Sequence, residues 1–213
     1  MRLFALLTLF LSLVWGAESK DFTFYYQNAL VAYKSGDFVV ARTSALEAGK
    51  LKAEDPHPFV LLAKIALAQK NYGEAEKILT PWIQKEPDLE IIWIPWGDVL
   101  VFTGRPSKAL EFYEKAAYQE GNRSDALLRK VYAFLKNKER GEAERVAATF
   151  DGFNDKTPVY YFAKAAVLEG AGKKGEAEGV LKNARTLYGE SVYLEYYRDY
   201  LWFVGSLKEG GNL

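Results

Sequence analysis

Gly73-Glu74-Ala75-Glu76 returns as Gly141-Glu142-Ala143-Glu144 and again as Gly175-Glu176-Ala177-Glu178, at offsets of 68 and 34 residues. The missing copy stands halfway between the first two, where Ala109 in Pro106-Ser107-Lys108-Ala109-Leu110 lies 34 residues from both Ala75 and Ala143. One period upstream of Ala75 is Ala41, in Gly36-Asp37-Phe38-Val39-Val40-Ala41. Self-similarity at a fixed period of this length is the signature of a repeat architecture, and it takes precedence over any local reading. In this phase the chain divides without insertion into five units of 34 residues, 22–55, 56–89, 90–123, 124–157 and 158–191.

Each unit reads as an antiparallel helix pair. In the first half a large residue at the fourth position (Tyr25, Phe59, Trp93, Leu127, Tyr161) is followed one turn later by a small or branched one (Ala29, Ala63, Gly97, Val131, Ala165). Residues four apart share a helical face, so a bulky side chain packs beside a close backbone approach. In the second half alanine recurs at the twentieth position, and small residues let two helices approach to the short end of their usual separation. Turn signals separate the halves at Ser35-Gly36-Asp37, Lys70-Asn71-Tyr72, Thr103-Gly104-Arg105-Pro106, Lys138-Glu139-Arg140-Gly141 and Gly170-Ala171-Gly172-Lys173-Lys174-Gly175. Pro81 and Pro95 fall inside expected helices, where proline removes a donor and crowds the preceding turn, so a kink, a shortening or a restart is expected at each.

These residues resemble the tetratricopeptide repeat over nearly the whole chain after residue 21. The second unit fits best, with Phe59, Leu62, Ala63, Ala66, Tyr72, Ala75, Leu79 and Pro87, and the third adds Trp93, Gly97, Gly104, Ala109, Tyr113 and Ala116. The resemblance implies an all-α, right-handed α-solenoid of five repeats plus a C-terminal capping helix, with a concave face that holds a peptide or a protein. Carried position by position, it implies a groove whose candidate contacts are Tyr26, Tyr33, Phe102, Tyr132 and Phe162, with Val60, Lys64, Leu67, Asp98, Val101, Leu128 and Leu135 in the lining. That lining is mostly apolar, which suits an apolar strip or an amphipathic helix laid in a groove.

Residues 192–204 read as one further first helix, followed by a flexible tail, 205–213. Its Tyr193, Tyr196, Tyr197, Tyr200, Trp202 and Phe203 exceed what one neighbouring unit would bury. Tyr193, Tyr196, Tyr200 and Phe203 are therefore candidates for a cap, or for an interface with a partner or a second copy.

At the other end, Arg2 precedes a mostly apolar run from Leu3 to Trp15, with Val14 and Gly16 placed as small residues before a cleavage site. The run is shorter than the roughly 20 residues that span a bilayer and reads as a signal peptide, 1–16, cleaved after Gly16 or Ala17. An exported protein is expected, periplasmic in a Gram-negative bacterium and secreted elsewhere, with no transmembrane span in the mature chain.

Composition narrows the chemistry. Lys plus Arg and Asp plus Glu number 28 each, so no bulk charge favours nucleic acid. Cysteine is absent, which removes disulfides, thiol nucleophiles and cysteine-ligated metals. The one histidine, His57, stands between two prolines, so no histidine pair or Ser-His-Asp arrangement can be built. The recurrent glutamates fall in the first turn of each second helix, where the helix end favours a negative charge without any catalytic role. Gly170 to Gly175 lacks the order of a phosphate loop and joins two helices. The sequence thus points to a non-enzymatic protein-binding scaffold with no cofactor and no metal. A self-associating subunit of an envelope complex is the alternative, and a glycan-binding or hydrolytic module a remote one.

Overall fold

The computed structural model describes residues 21–152 and 157–209. The proposed signal peptide lies outside the described residues, as do 153–156 and the last four of the chain. Eleven α-helices follow one another among the described residues: α1 Phe22–Ser35, α2 Phe38–Leu51, α3 Pro56–Ala68, α4 Tyr72–Lys85, α5 Glu90–Phe102, α6 Pro106–Ala117, α7 Arg123–Lys136, α8 Arg140–Ala147, α9 Val159–Gly170, α10 Lys174–Tyr188 and α11 Glu190–Glu209. A single 3₁₀ turn, Glu120–Asn122, leads into α7.

The second helix of each pair starts at residue 38, 72, 106, 140 or 174, each 34 beyond the last. The reason is a turn that repeats atom for atom. The residue at the head of each turn has a left-handed backbone, with φ of 83° at Gly36, 59° at Lys70, 81° at Gly104, 62° at Lys138 and 75° at Gly172. The next N–H reaches back to the helix it has just left: Asp37 to Ala32, Asn71 to Ala66, Arg105 to Leu100, Glu139 to Phe134 and Lys173 to Leu168, at 2.7 to 2.9 Å. That back-bond, together with the left-handed residue before it, satisfies carbonyls that the helix end would otherwise leave open. The recurrent alanines sit just past the turn, and Ala41, Ala75, Ala109, Ala143 and Ala177 are all completely buried.

The chain forms two compact units, one ending at Pro58 and the other beginning at Phe59. In the first, α1 and α2 pair through Ala29, Ala32, Ala41, Ala45 and Ala48, with Asn28 donating to Ser44 across the pair at 2.7 Å. Asp21 and Asp37 cap the two helices by accepting from Phe24 N and Val40 N. Such caps typically contribute about 1 kcal/mol each.

In the second unit the helices from α5 to α10 pack in sequence, α7 also meeting α9 directly, so hairpin leans on hairpin. Val60, Ala63, Leu67, Leu79, Ile92 and Val99 form one core, and a larger one runs from Val101 and Tyr113 through Leu128, Val131 and Phe162 to Val204. Polar bonds stitch successive hairpins, Arg105 to Glu76 at 2.7 Å and Lys115 to Asp88 at 3.2 Å, while Gln119 donates to Glu90 at 2.6 Å within the third hairpin. The fold is an all-α array of helical hairpins, tetratricopeptide-like in its spacing.

Two expectations are corrected. Pro81 and Pro95 neither end nor restart a helix, since α4 and α5 run through them. Each proline removes one backbone donor, a loss that the packed helix absorbs, and Pro95 is itself buried. The last helix does not stop at Val204 before a flexible tail: α11 continues through Gly205 to Glu209.

Candidate partner-binding groove

The first helices α5, α7 and α9 turn Phe102, Tyr132 and Phe162 towards one another's side of the array, and α11 lies on all three. Phe162 on α9 is ringed by Tyr193, Tyr196 and Tyr200, at centroid distances of 5.7, 5.8 and 5.8 Å. Further along, Phe203 stacks on Tyr132 of α7 at 4.4 Å and meets Phe102 of α5 at 4.9 Å. Trp202 stands edge-on to Phe102 at 6.2 Å, and Tyr72 of α4 lies flat against the same ring at 4.9 Å. Aromatic pairs in this range add about 0.5 to 1.5 kcal/mol beyond their buried area.

The aromatic surplus of the C-terminal helix is therefore taken up within the chain. The first half of α11 packs on α9 and α10, where the first helix of a sixth hairpin belongs. Its second half crosses over α7 to α5. Tyr193, Tyr200, Phe203 and Val204 face inward and are buried, while Leu194 and Leu201, seven residues apart, stay about half exposed on the other side. Those spacings place each set on one face of a helix.

A charged cluster sits beneath the second half of α11. Arg129 Nε lies 3.0 Å from Asp98 Oδ1 and donates to Oδ2 at 3.2 Å, and an Nη of the same guanidinium pairs with Asp199 on α11. Tyr113 on α6 donates its hydroxyl to Asp98 at 2.7 Å. The guanidinium also lies 5.5 Å from the Phe203 ring centroid, within range of a cation–π contact. Burial pushes the Asp98 carboxyl up, with Asp199 adding to it, against the opposing pull of Arg129 and the Tyr113 hydroxyl. The same burial weighs on Arg129, and Asp98 and Asp199 more than offset it, so the guanidinium stays charged. One cation thus serves two carboxylates from different helices.

The seam under α11 is not fully satisfied. The Tyr132 and Tyr200 hydroxyl oxygens are buried without a hydrogen-bond partner. Burial raises both phenols above their ordinary range, as it does Tyr196, whose hydroxyl lies 3.3 Å from Asp125 on α7.

The other candidate contacts, Tyr26 and Tyr33, belong to the first unit and are half-buried there. Tyr26 stacks on Phe22 at 5.7 Å and meets the edge of His57 at 6.0 Å, and Tyr33 tilts against Phe38 at 6.0 Å. His57 is occupied by Asp55, which accepts from its backbone N–H at 3.0 Å and lies 2.8 Å from its Nδ1, an arrangement that caps the start of α3. Of the lining positions in the second unit, Val60, Leu67, Asp98, Val101, Leu128 and Leu135 are buried. Among the described residues no three His, Cys, Asp or Glu side chains gather into a metal-binding group, and no helix is long and apolar enough to cross a membrane.

Arg129 was not evident as a site residue from the sequence. Its signal lay in its partner: Asp98 is the one carboxylate in the apolar stretch from Ile91 to Phe102. A lone charge on an otherwise buried helix calls for an opposite charge beside it.

Hairpins spaced in this way, with small residues at the helix crossings and an inner row of aromatics, define an all-α helical-repeat protein. A solved tetratricopeptide repeat protein from Parabacteroides merdae is similar to this chain, with 18% sequence identity over 86% of this chain and 73% of that one, and a TM-score of 0.49. No protein-family model matches the chain, and no curated protein matches it.

Proposed function

We propose that this protein is an exported, non-enzymatic scaffold that binds a protein or peptide partner through the inner face of α5, α7 and α9, and that the groove accepts an amphipathic helix. One observation carries the reading: an amphipathic helix, α11, already lies along Phe102, Tyr132 and Phe162. Helix-in-groove recognition of this kind is read out by apolar anchors three, four and seven residues apart. Tyr26 and Tyr33 are candidate contacts of the first unit by itself. Export rests on the apolar run from Leu3 to Trp15.

The test is crosslinking in envelope extract of the source cells with the tagged full chain. Phe102→Ala, Tyr132→Ala and Phe162→Ala should each lower the recovery of a specific partner while the helix content is retained. Equal recovery of every partner by all four proteins would overturn the groove. N-terminal sequencing of the recovered chain should begin at Ala17 or Glu18, and a chain beginning at Met1 would remove the export reading.

A further inference from the structure

A helix that merely closes an array needs to cover the last hairpin. For α11 that task ends near Tyr197: Tyr193 and Tyr196 lie on Phe162, and the first half of the helix rests on α9 and α10. The segment from Asp199 to Phe203 goes further, to Arg129 and Tyr132 on α7 and Phe102 on α5, one and two hairpins back from the end. There it makes two linked contacts. The Asp199 carboxylate pairs with the Arg129 guanidinium, and four residues on, one turn along the same face, Phe203 fills the space between Tyr132 and Phe102 while lying 5.5 Å from that guanidinium.

Two features mark this half as a resident that can leave. The seam strands two buried phenol hydroxyls, on Tyr132 and Tyr200, and each such group costs the closed state its lost hydration. Arg129 keeps a partner when Asp199 departs, because Asp98 holds it from α5.

Resting on the groove reading above, we propose that the second half of α11 is a displaceable occupant of the groove, and that the partner is a helix of the same chemistry: a carboxylate for Arg129 and, four residues later, an aromatic ring for Tyr132 and Phe102. An acidic side chain alone would leave the aromatic wall uncovered. A purely apolar helix would leave Arg129 with Asp98 alone, where the resident helix adds a second carboxylate.

The probe is a fluorescently labelled synthetic peptide of residues 190–209, added in trans to the full chain and followed by anisotropy. Against a full chain carrying Asp199→Lys and Phe203→Ala, which frees the groove, the peptide should bind at least tenfold more tightly than against wild type. Placing the same two changes in the peptide should abolish that gain. Hydrogen exchange on the wild-type chain should show amides 199–204 opening ahead of those of α7 and α9. Equal binding by wild-type and altered chains would overturn displacement while leaving the groove reading intact. No binding by the altered chain, with α5, α7 and α9 still protected from exchange, would remove the groove reading as well. Exchange of α11 in one cooperative step with α9 would make α11 a permanent cap and sink the proposal.

Discussion

Phe203 lies nearly flat on Tyr132, with ring centroids 4.4 Å apart and planes 22° from parallel, and this contact fastens the last helix of the chain to the fourth hairpin. Phe203 is 2% exposed, so its removal leaves a cavity the size of a ring. Truncating such a residue to alanine usually costs about 3 to 5 kcal/mol. Phe203→Ala should therefore strip residues 199–204 of their exchange protection, whereas Phe203→Leu should keep most of it. Unchanged protection of residues 199–204 in the alanine variant would contradict the packing described.

The Asp98, Arg129 and Tyr113 cluster should respond very unevenly to substitution. Arg129→Met leaves the Asp98 carboxylate, 6% exposed, without its cation, a change that typically costs about 3 to 5 kcal/mol. Tyr113→Phe removes one hydrogen bond to that carboxylate and should cost about 1 to 3 kcal/mol. Asp199→Asn should cost less than Arg129→Met, because Asp199 is more exposed and its loss leaves the Asp98 to Arg129 pair intact. Urea denaturation of the three variants gives the order directly.

Lys70 and Lys138 hold the left-handed turn position that glycine holds in the other three hairpins. A side chain there costs about 1 kcal/mol or more relative to glycine. Lys70→Gly and Lys138→Gly should each raise stability by up to about 1 kcal/mol, and Gly104→Lys should lower it by a similar amount. A fall in melting temperature for both glycine variants would show that the lysine side chains contribute more than the backbone strain costs.

Alkali should unfold the protein cooperatively. Burial raises the phenols of Tyr113, Tyr132, Tyr196 and Tyr200 above their ordinary value near 10. Above that pH the unfolded chain releases protons that the folded one retains, so stability falls as pH rises, by about 1.4 kcal/mol per pH unit for each phenol that stays protonated. Below pH 9 the same groups contribute no pH dependence. The phenolate absorbance of these residues should appear together with the loss of helical circular dichroism, and complete ionisation with the helices intact would refute their burial.

The helix pairs could be read from the chain because their cause is local. A left-handed turn, a back-bonded N–H and an alanine four residues after the donor repeat at one interval, and each leaves a mark in the sequence even where lysine replaces glycine. Gly97 shows the same legibility in packing. A Cβ added there would lie 2.4 Å from the Tyr113 ring, which accounts for the smallest residue at the expected helix crossing. The path of α11 was not legible for the opposite reason. Its aromatic stripe states that one face is covered, but which hairpins cover it depends on how far a straight helix of 20 residues reaches back over its neighbours. The continuity of α4 and α5 through Pro81 and Pro95 was not legible because the cost of one lost backbone bond says nothing of the tertiary contacts on either side of it.

The first half of α11, seated on α9 and α10, keeps the second half on a short leash. A ligand from outside must compete with a rival that is attached to the same chain and never diffuses away, so its apparent affinity is reduced by the fraction of molecules in which that rival is out. If about one molecule in a hundred stands open, a helix with an intrinsic dissociation constant near 10 nM would behave as a binder near 1 μM. Weak binding in a dilute assay is then the expected behaviour of the intact protein, and occupancy would be governed by how much ligand gathers locally.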